Sequence, residues 1–303
     1  MSSIRSKLVR SLIVKRGMRK LFNPFLTTID EMRGSSIKVN KRLKLPKDAI
    51  VTEIKNEKFK AEWLRAGNVE NTTKNVILYF HSGAFCLGYN NPHRLFALEL
   101  SRACNAKVFA VDYRLAPEHK YPAANDDCFA AYKWLIESGV NPRNLVIGGD
   151  SAGAGLSLMT LLALKKAGNP MPIAAFLISL FGGDLKRFDG ESYETRKLRD
   201  QLNFKEGIQH FAKLYLGDQE INPPIDENLN GLPSLLIQVG SDEILLSDSV
   251  RLAENAKNAG VKVVFEEWQD MWQVFQGFSM IVPEAKKAMC HVAEFINDNL
   301  GKA

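Results

Sequence analysis

The spacing of hydrophobic side chains changes along the chain, and these changes predict the structural elements. Residues 4–22 place apolar side chains at helical intervals among basic ones, which predicts an amphipathic basic helix. From residue 49 the period becomes two, as in a pair of antiparallel strands. Val76–Phe80 is continuously apolar, a pattern typical of a strand buried on both faces. A helical N-terminus is therefore predicted to lead into a sheet.

Helical and strand patterns then alternate to the end of the chain. Strands are predicted at residues 49–55, 58–65, 76–80, 107–112, 145–149, 173–179, 234–240 and 261–268. Helices are predicted at residues 92–104, 123–137, 151–167, 247–259 and 283–300. This alternation predicts an α/β fold: a mostly parallel, eight-stranded sheet with helices on both faces. Functional residues are then expected at the carboxyl ends of the strands.

One stretch interrupts the alternation. Residues 181–230 contain no apolar strand, are rich in charge and glycine, and carry a helical pattern at 204–216. We predict an insertion over the carboxyl edge of the sheet, which forms a helical cap together with about residues 1–45. With 46% hydrophobic residues, the 303-residue chain can bury one large core, so residues 1–303 are predicted to form a single domain.

The positive net charge is a local feature of the N-terminus. The formal charge is +6, and residues 1–22 alone hold seven basic side chains and no acidic one. A basic amphipathic helix can serve a membrane surface or a nucleic acid. We favour a helix that packs on its own domain with its basic face exposed to solvent, because no binding motif or aromatic interleaving accompanies it. No nucleic-acid partner and no stable membrane insertion are expected, since no apolar run is long enough to span a bilayer.

The cysteines and the N-terminus favour a cytoplasmic enzyme. The four cysteines are scattered without metal-ligand spacing, which predicts buried free thiols and no metal or cofactor site. The N-terminus lacks the apolar stretch and small residues of a secretion signal.

The clearest chemical motif joins an apolar strand to a helix. Gly149-Asp-Ser-Ala-Gly153 fits G-x-S-x-G, in which a sharp turn exposes the serine at the edge of the sheet. Glycines two before and two after Ser151 give the turn its room. The N–H of Ala152 would then lie at a helix N-terminus, where developing negative charge is stabilised.

Three other strand ends bring candidate residues to the same edge. His81-Ser82-Gly83 follows the 76–80 strand and offers the N–H groups of Ser82 and Gly83 to an oxyanion, although an ordinary turn is an equal alternative. Asp242 follows the 234–240 strand and is the best candidate to orient a histidine. Its neighbours Glu243 and Asp248 are expected to be capping or solvated charges. The next loop, where a histidine should follow, contains Gln273 instead.

Taken together, these stretches resemble the bacterial hormone-sensitive-lipase-like carboxylesterases, which are α/β hydrolases with a helical cap. The resemblance covers nearly the whole chain and rests on five stretches in the right order: residues 79–85, 112–124, 149–153, 231–243 and 270–275. It implies hydrolysis of short-chain, small-molecule carboxylic esters without a cofactor. It also implies Ser151 as nucleophile, Asp242 as acid, and Ser82, Gly83 and Ala152 at the oxyanion hole. A homodimer through the last strand and helix is compatible with it.

Two departures from the family pattern affect the chemistry. Ser82 replaces the first glycine of the family's oxyanion motif, and Gln273 stands where Met-Trp-His-Val-Phe has its catalytic histidine. A glutamine amide can hydrogen-bond both Ser151 and Asp242, but it cannot accept the serine proton. Among the other histidines, His119 is expected to support a turn, and His210 is the one that could swing over the site.

Three hypotheses follow. The first is a carboxylesterase whose activity is impaired by Gln273. The second is a small-molecule-binding protein on the same fold, since the gibberellin receptors of plants resemble this family and also lack the histidine. The third is an enzyme with a reshaped active site, because Ser82, Gln273 and the unusual stretch at residues 179–184 would all surround one pocket.

Overall fold

The computed structural model describes residues 2–301 and contains one eight-stranded sheet. Its strands are β1 (Ile50–Lys55), β2 (Lys60–Arg65), β3 (Val76–Phe80), β4 (Lys107–Asp112), β5 (Leu145–Asp150), β6 (Ala174–Ile178), β7 (Ser234–Gly240) and β8 (Val263–Trp268). Their order across the sheet is β1-β2-β4-β3-β5-β6-β7-β8. β2 runs antiparallel to β1 and β4, and the remaining neighbours are parallel. The predicted mostly parallel α/β fold is confirmed.

Within residues 2–301, three helices precede the sheet and the others lie between or after the strands from β3 onward. They are α1 (Ile4–Val9), α2 (Arg19–Leu21), α3 (Ile29–Arg42), α4 (Asn91–Cys104), α5 (Ala123–Glu137), α6 (Ala152–Lys166), α7 (Ser192–Thr195), α8 (Lys205–Leu216), α9 (Leu246–Asn258) and α10 (Pro283–Leu300). A π-helical stretch, Arg10–Met18, joins α1 to α2, and residues 4–21 are called the N-terminal segment below. Short 3₁₀ turns lie at Pro142–Asn144, Pro224–Asp226 and Phe275–Phe278.

The sheet is buried on both faces, because alternate residues of its central strands enter different cores. In β3, Leu78 and Phe80 join one cluster of buried side chains, whereas Ile77 and Tyr79 join the other. Successive side chains of a strand point to opposite faces, so a strand between two helical layers must be apolar throughout. The continuous apolar run of β3 therefore has the position that its sequence predicts.

The segments predicted as a cap pack on this framework. Residues 181–230, all within the described part of the chain, contain α7 and α8 and no strand. In α8, Phe211 and Tyr215 enter the main core cluster. From the N-terminal segment, Val9 and Val14 pack with Met271, Trp272 and Phe275 in the loop after β8.

Two smaller observations complete the description. None of the helices within residues 2–301 combines the length and the apolar character that a membrane crossing requires. The four cysteines are free thiols; Cys86, Cys104 and Cys128 are buried as predicted, but Cys290 is exposed.

Candidate active site

Ser151 occupies a strained turn between β5 and α6. Its backbone has φ 53° and ψ −117°, values that a residue with a side chain adopts only when the surroundings enforce them. The flanking glycines are required sterically. A Cβ at Gly149 would lie 2.3 Å from the Phe80 carbonyl oxygen, and one at Gly153 would lie 1.9 Å from the same atom. The predicted strand, turn and helix around Ser151 are present.

The turn after β3 lies against the turn that carries Ser151. A Cβ at Gly153 would come within 2.8 Å of the His81 carbonyl oxygen, which shows how closely the two turns pack. The ring of His81 stacks on Tyr113 at 4.1 Å, and the Tyr113 hydroxyl donates a hydrogen bond of 2.7 Å to the His81 carbonyl. Burial lowers the pKa of His81 to about 4, so this imidazole is neutral at pH 7.

Ser82 is anchored through its side chain. Its hydroxyl lies 3.0 Å from His93 Nε2. Burial raises the pKa of Asp150, and hydrogen bonds from Tyr79 and from the hydroxyl and backbone N–H of Ser82 oppose that rise. The assignment of Ser82, Gly83 and Ala152 to the oxyanion hole stays a prediction.

Gln273 contacts the Ser151 hydroxyl directly. Its amide Nε2 donates to Ser151 Oγ at 2.8 Å, and its Oε1 accepts a hydrogen bond from Asn203 Nδ2. The next residue, Val274, has φ 53°, which is uncommon for a β-branched side chain, and its N–H donates to Ser179 Oγ at 2.9 Å. Gln273 is thus held at both ends of its amide and through its neighbour's backbone.

Asp242 lies near this group but is bound by different partners. Its Oδ2 is 2.6 Å from the Arg10 guanidinium, and its Oδ1 is 3.6 Å from Arg199 Nη1. Oδ1 is buried and has no hydrogen-bond partner within residues 2–301. The expectation that Gln273 bridges Ser151 and Asp242 is wrong in its second half, because Asn203 takes the other end of the amide.

Comparison with known proteins gives the family. A model of the alpha/beta hydrolase fold family matches residues 77–277. The chain is 39% identical to an acetyl-hydrolase of Streptomyces hygroscopicus over 80% of its own length and 81% of that protein. It is 42% identical to an esterase of Acinetobacter venetianus over 73% and 74%. The crystal structure of an esterase from the bacterial hormone-sensitive lipase family superposes with a TM-score of 0.89, at 34% identity and 99% coverage of both chains.

The chain belongs to the hormone-sensitive-lipase-like carboxylesterases. It is a carboxylesterase-type hydrolase of the α/β hydrolase superfamily, as its motifs and fold lead one to expect.

The roles predicted for two acidic residues of this carboxylesterase are wrong. Glu243 and Asp248 are buried, not capping or solvated. Glu243 Oε1 accepts hydrogen bonds from the Gly240 N–H at 2.6 Å and from Ser179 Oγ at 2.8 Å. Burial raises the pKa of Glu243 to about 8 and that of Asp248 to about 7. Glu243 therefore fixes Ser179, which in turn holds the backbone beside Gln273.

No histidine within residues 2–301 hydrogen-bonds Ser151. His210, the predicted substitute, packs edge-on against Phe25 with ring centroids 5.7 Å apart. His119 is exposed in the turn that it was expected to support. Among the described residues, the side chain that hydrogen-bonds Ser151 Oγ is Gln273.

Sequence reasoning missed two residues of this site, Arg10 and Asn203. Arg10 is one of seven basic residues at the N-terminus, and Asn203 lies in the insertion just before α8. Neither belongs to a motif, and both reach the site only when distant segments pack together. The one signal for them in the sequence is the absence of a histidine at position 273, where the family resemblance leads one to expect the partner of Asp242.

Proposed function

We propose that this carboxylesterase hydrolyses short-chain carboxylic esters through an acyl-enzyme on Ser151, with turnover strongly impaired by Gln273. Ser151 Oγ would attack the ester carbonyl, and the N–H groups of Ser82, Gly83 and Ala152 would stabilise the oxyanion. The leaving alkoxide would take the proton that Ser151 loses and depart as the alcohol. Water would then cleave the acyl–Ser151 ester and release the carboxylic acid. About residues 1–45 and residues 181–230 would form the helical cap over this site.

One observation carries the proposal: Gln273 Nε2 donates to Ser151 Oγ, in the place where the family has its base. An amide N–H donor cannot receive the proton that Ser151 loses on attack. Removing the base of a serine protease costs roughly 10⁶ in turnover, or about 8 kcal/mol. A background of roughly 10³–10⁴ over water is expected to persist from the oxyanion hole and substrate binding.

The surroundings of Asp242 support an esterase whose base has been replaced. Asp242 Oδ1 is buried without a hydrogen-bond partner within residues 2–301. A buried acceptor without a partner is costly, and the N–H of an imidazole at position 273 is the kind of donor that would satisfy it.

A second candidate function is ligand binding without turnover. It is favoured by the way Asn203 satisfies the Gln273 amide and Arg10 compensates the Asp242 charge. These partners suit a site that works without a base, because Arg10 compensates the charge of Asp242 and Gln273 hydrogen-bonds Ser151.

The test is a burst assay with p-nitrophenyl acetate, followed by intact mass, on this chain and on Ser151→Ala. The proposal expects one acetyl adduct that requires Ser151 and persists, because Gln273 cannot activate the water that would remove it. If neither chain acquires an adduct, acyl transfer at Ser151 is refuted. Thermal-shift screening with acids, esters and amides would then test the binding protein.

A further inference from the structure

We propose that the outward face of the N-terminal segment docks on an anionic lipid surface, with the helix lying parallel to it. This lipid-facing surface consists of Ile4, Leu8, Leu12 and Ile13. The inference concerns a surface that ester hydrolysis does not use, and it is independent of the function proposed for Ser151.

One face of the N-terminal segment packs against the protein, and the opposite face is exposed to solvent. Its inward face buries Val9 and Val14 against the loop that carries Gln273. On the lipid-facing surface, Ile4 is 77% exposed, Leu8 55%, Leu12 53% and Ile13 43%. Ile4, Leu8 and Leu12 follow one another at intervals of four and therefore share one side of the helix.

The apolar surface continues beyond the helix. In the turn that follows, Phe25 is 60% exposed and Leu26 is 68% exposed. Single exposed apolar residues are ordinary, but a run of this kind along one helix and its turn indicates an interaction surface.

The basic residues around this lipid-facing surface favour an anionic partner. Two of the seven basic side chains point inward: Arg10 binds Asp242, and Arg19 donates to the Asp200 carbonyl. The others are exposed and border the apolar residues: Arg5, Lys7, Lys15, Arg16 and Lys20. A helix with exposed apolar side chains flanked by lysine and arginine, and without acids, matches the in-plane helices that bind anionic lipid.

The same charge argues against a second copy of this chain as the occupant. Two N-terminal segments packed face to face would bring their basic borders together, and residues 1–22 hold no acidic side chain to compensate them. An anionic lipid surface relieves this repulsion and buries the apolar residues at the same time.

The experiment is vesicle co-sedimentation of the full chain. Vesicles of phosphatidylcholine alone are compared with vesicles that also contain phosphatidylglycerol, at low and high salt. We expect binding to the phosphatidylglycerol vesicles only, weakened by salt because exposed charges are screened. The double substitution Leu8→Gln and Leu12→Gln should weaken binding by roughly tenfold or more, since each buried leucine contributes to insertion.

Leu198→Gln is the matched control, because Leu198 is 86% exposed and lies outside the N-terminal segment. It should leave vesicle binding unchanged, and circular dichroism should show that both variants are folded. Absence of binding to phosphatidylglycerol vesicles, or equal binding by the double variant, overturns the proposal. A dimer in sedimentation equilibrium that dissociates in the double variant would make a second copy the occupant, and that result overturns it too.

Discussion

The Arg10 guanidinium lies 2.6 Å from Asp242 Oδ2, and the same group donates to the Arg199 carbonyl at 2.7 Å. Arg10 belongs to the first helical turns of the chain, whereas Asp242 follows β7. The Asp242 carboxylate is therefore charge-compensated by the N-terminal segment. This contact links the packing of that segment to the electrostatics of the active site.

Gln273→His is expected to raise kcat/KM for p-nitrophenyl acetate by several orders of magnitude. The imidazole would lie within reach of Ser151 Oγ, and Asp242 Oδ1 is available to accept its other N–H. Steady-state release of p-nitrophenol checks the prediction. The control is Gln273→His combined with Ser151→Ala, which should remain at background.

An inert Gln273→His variant that is folded would contradict this expectation. In that case the loss of the base would not be what limits hydrolysis, and the altered turn at Ser82 would be the next suspect.

Arg10→Gln, made together with Gln273→His, should shift the acid limb of the pH–rate profile to higher pH. Without the guanidinium the Asp242 charge is less compensated, so the protonated imidazole is stabilised and its pKa rises. The pH dependence of kcat/KM measures the shift. Arg5→Gln in the same background is the control, since Arg5 is exposed on the same segment. Identical profiles for the two variants would show that Arg10 does not act on the base position.

Glu243→Gln should flatten the pH dependence of stability. The folded pKa of Glu243 is about 8, above its usual value of 4.5, so the folded state binds this proton more tightly than the unfolded state. The stabilisation is complete below pH 4.5 and is lost as the pH rises through the window to about 8. For one proton the slope reaches at most about 1.4 kcal/mol per pH unit.

Urea unfolding at several pH values across that window measures the effect. Glu57→Gln, at an exposed glutamate, is the matched control and should keep the slope of the parent chain. Equal slopes for Glu243→Gln and the parent would rule out the buried proton as the cause.

Gly153→Ala should destabilise the fold by roughly 3 kcal/mol or more. The added Cβ would lie 1.9 Å from the Phe80 carbonyl oxygen, a backbone atom that cannot move aside without displacing β3. Gly34→Ala in α3 is the control, because its Cβ meets nothing within 4 Å. That change should be neutral or stabilise by up to about 1 kcal/mol through helix propensity. Thermal or urea unfolding compares the two, and similar stabilities would contradict the steric argument.

The elements of the fold could be predicted because their signals are local. β3, β4, β7, α5 and α10 begin and end at the predicted residues. Continuously apolar strand patterns and helical spacing can each be recognised within a short window of sequence. The turn at Ser151 could also be predicted from the sequence, because its strain and its steric contacts require glycines at two fixed positions. The contact between Ser151 and Gln273 was expected, because both residues follow parallel strands at the carboxyl edge of the sheet.

Hydrogen-bond and charge partners were decided by the tertiary structure. Asn203 on Gln273, Arg10 on Asp242 and the burial of Glu243 each join segments that are far apart along the chain. An unpaired group near such a site is costly, so whichever donor or cation the packing brings within reach becomes its partner. A local pattern can specify that a carboxylate stands at a strand end. The side chain that neutralises this carboxylate depends on how the N-terminal segment and residues 181–230 pack on the sheet.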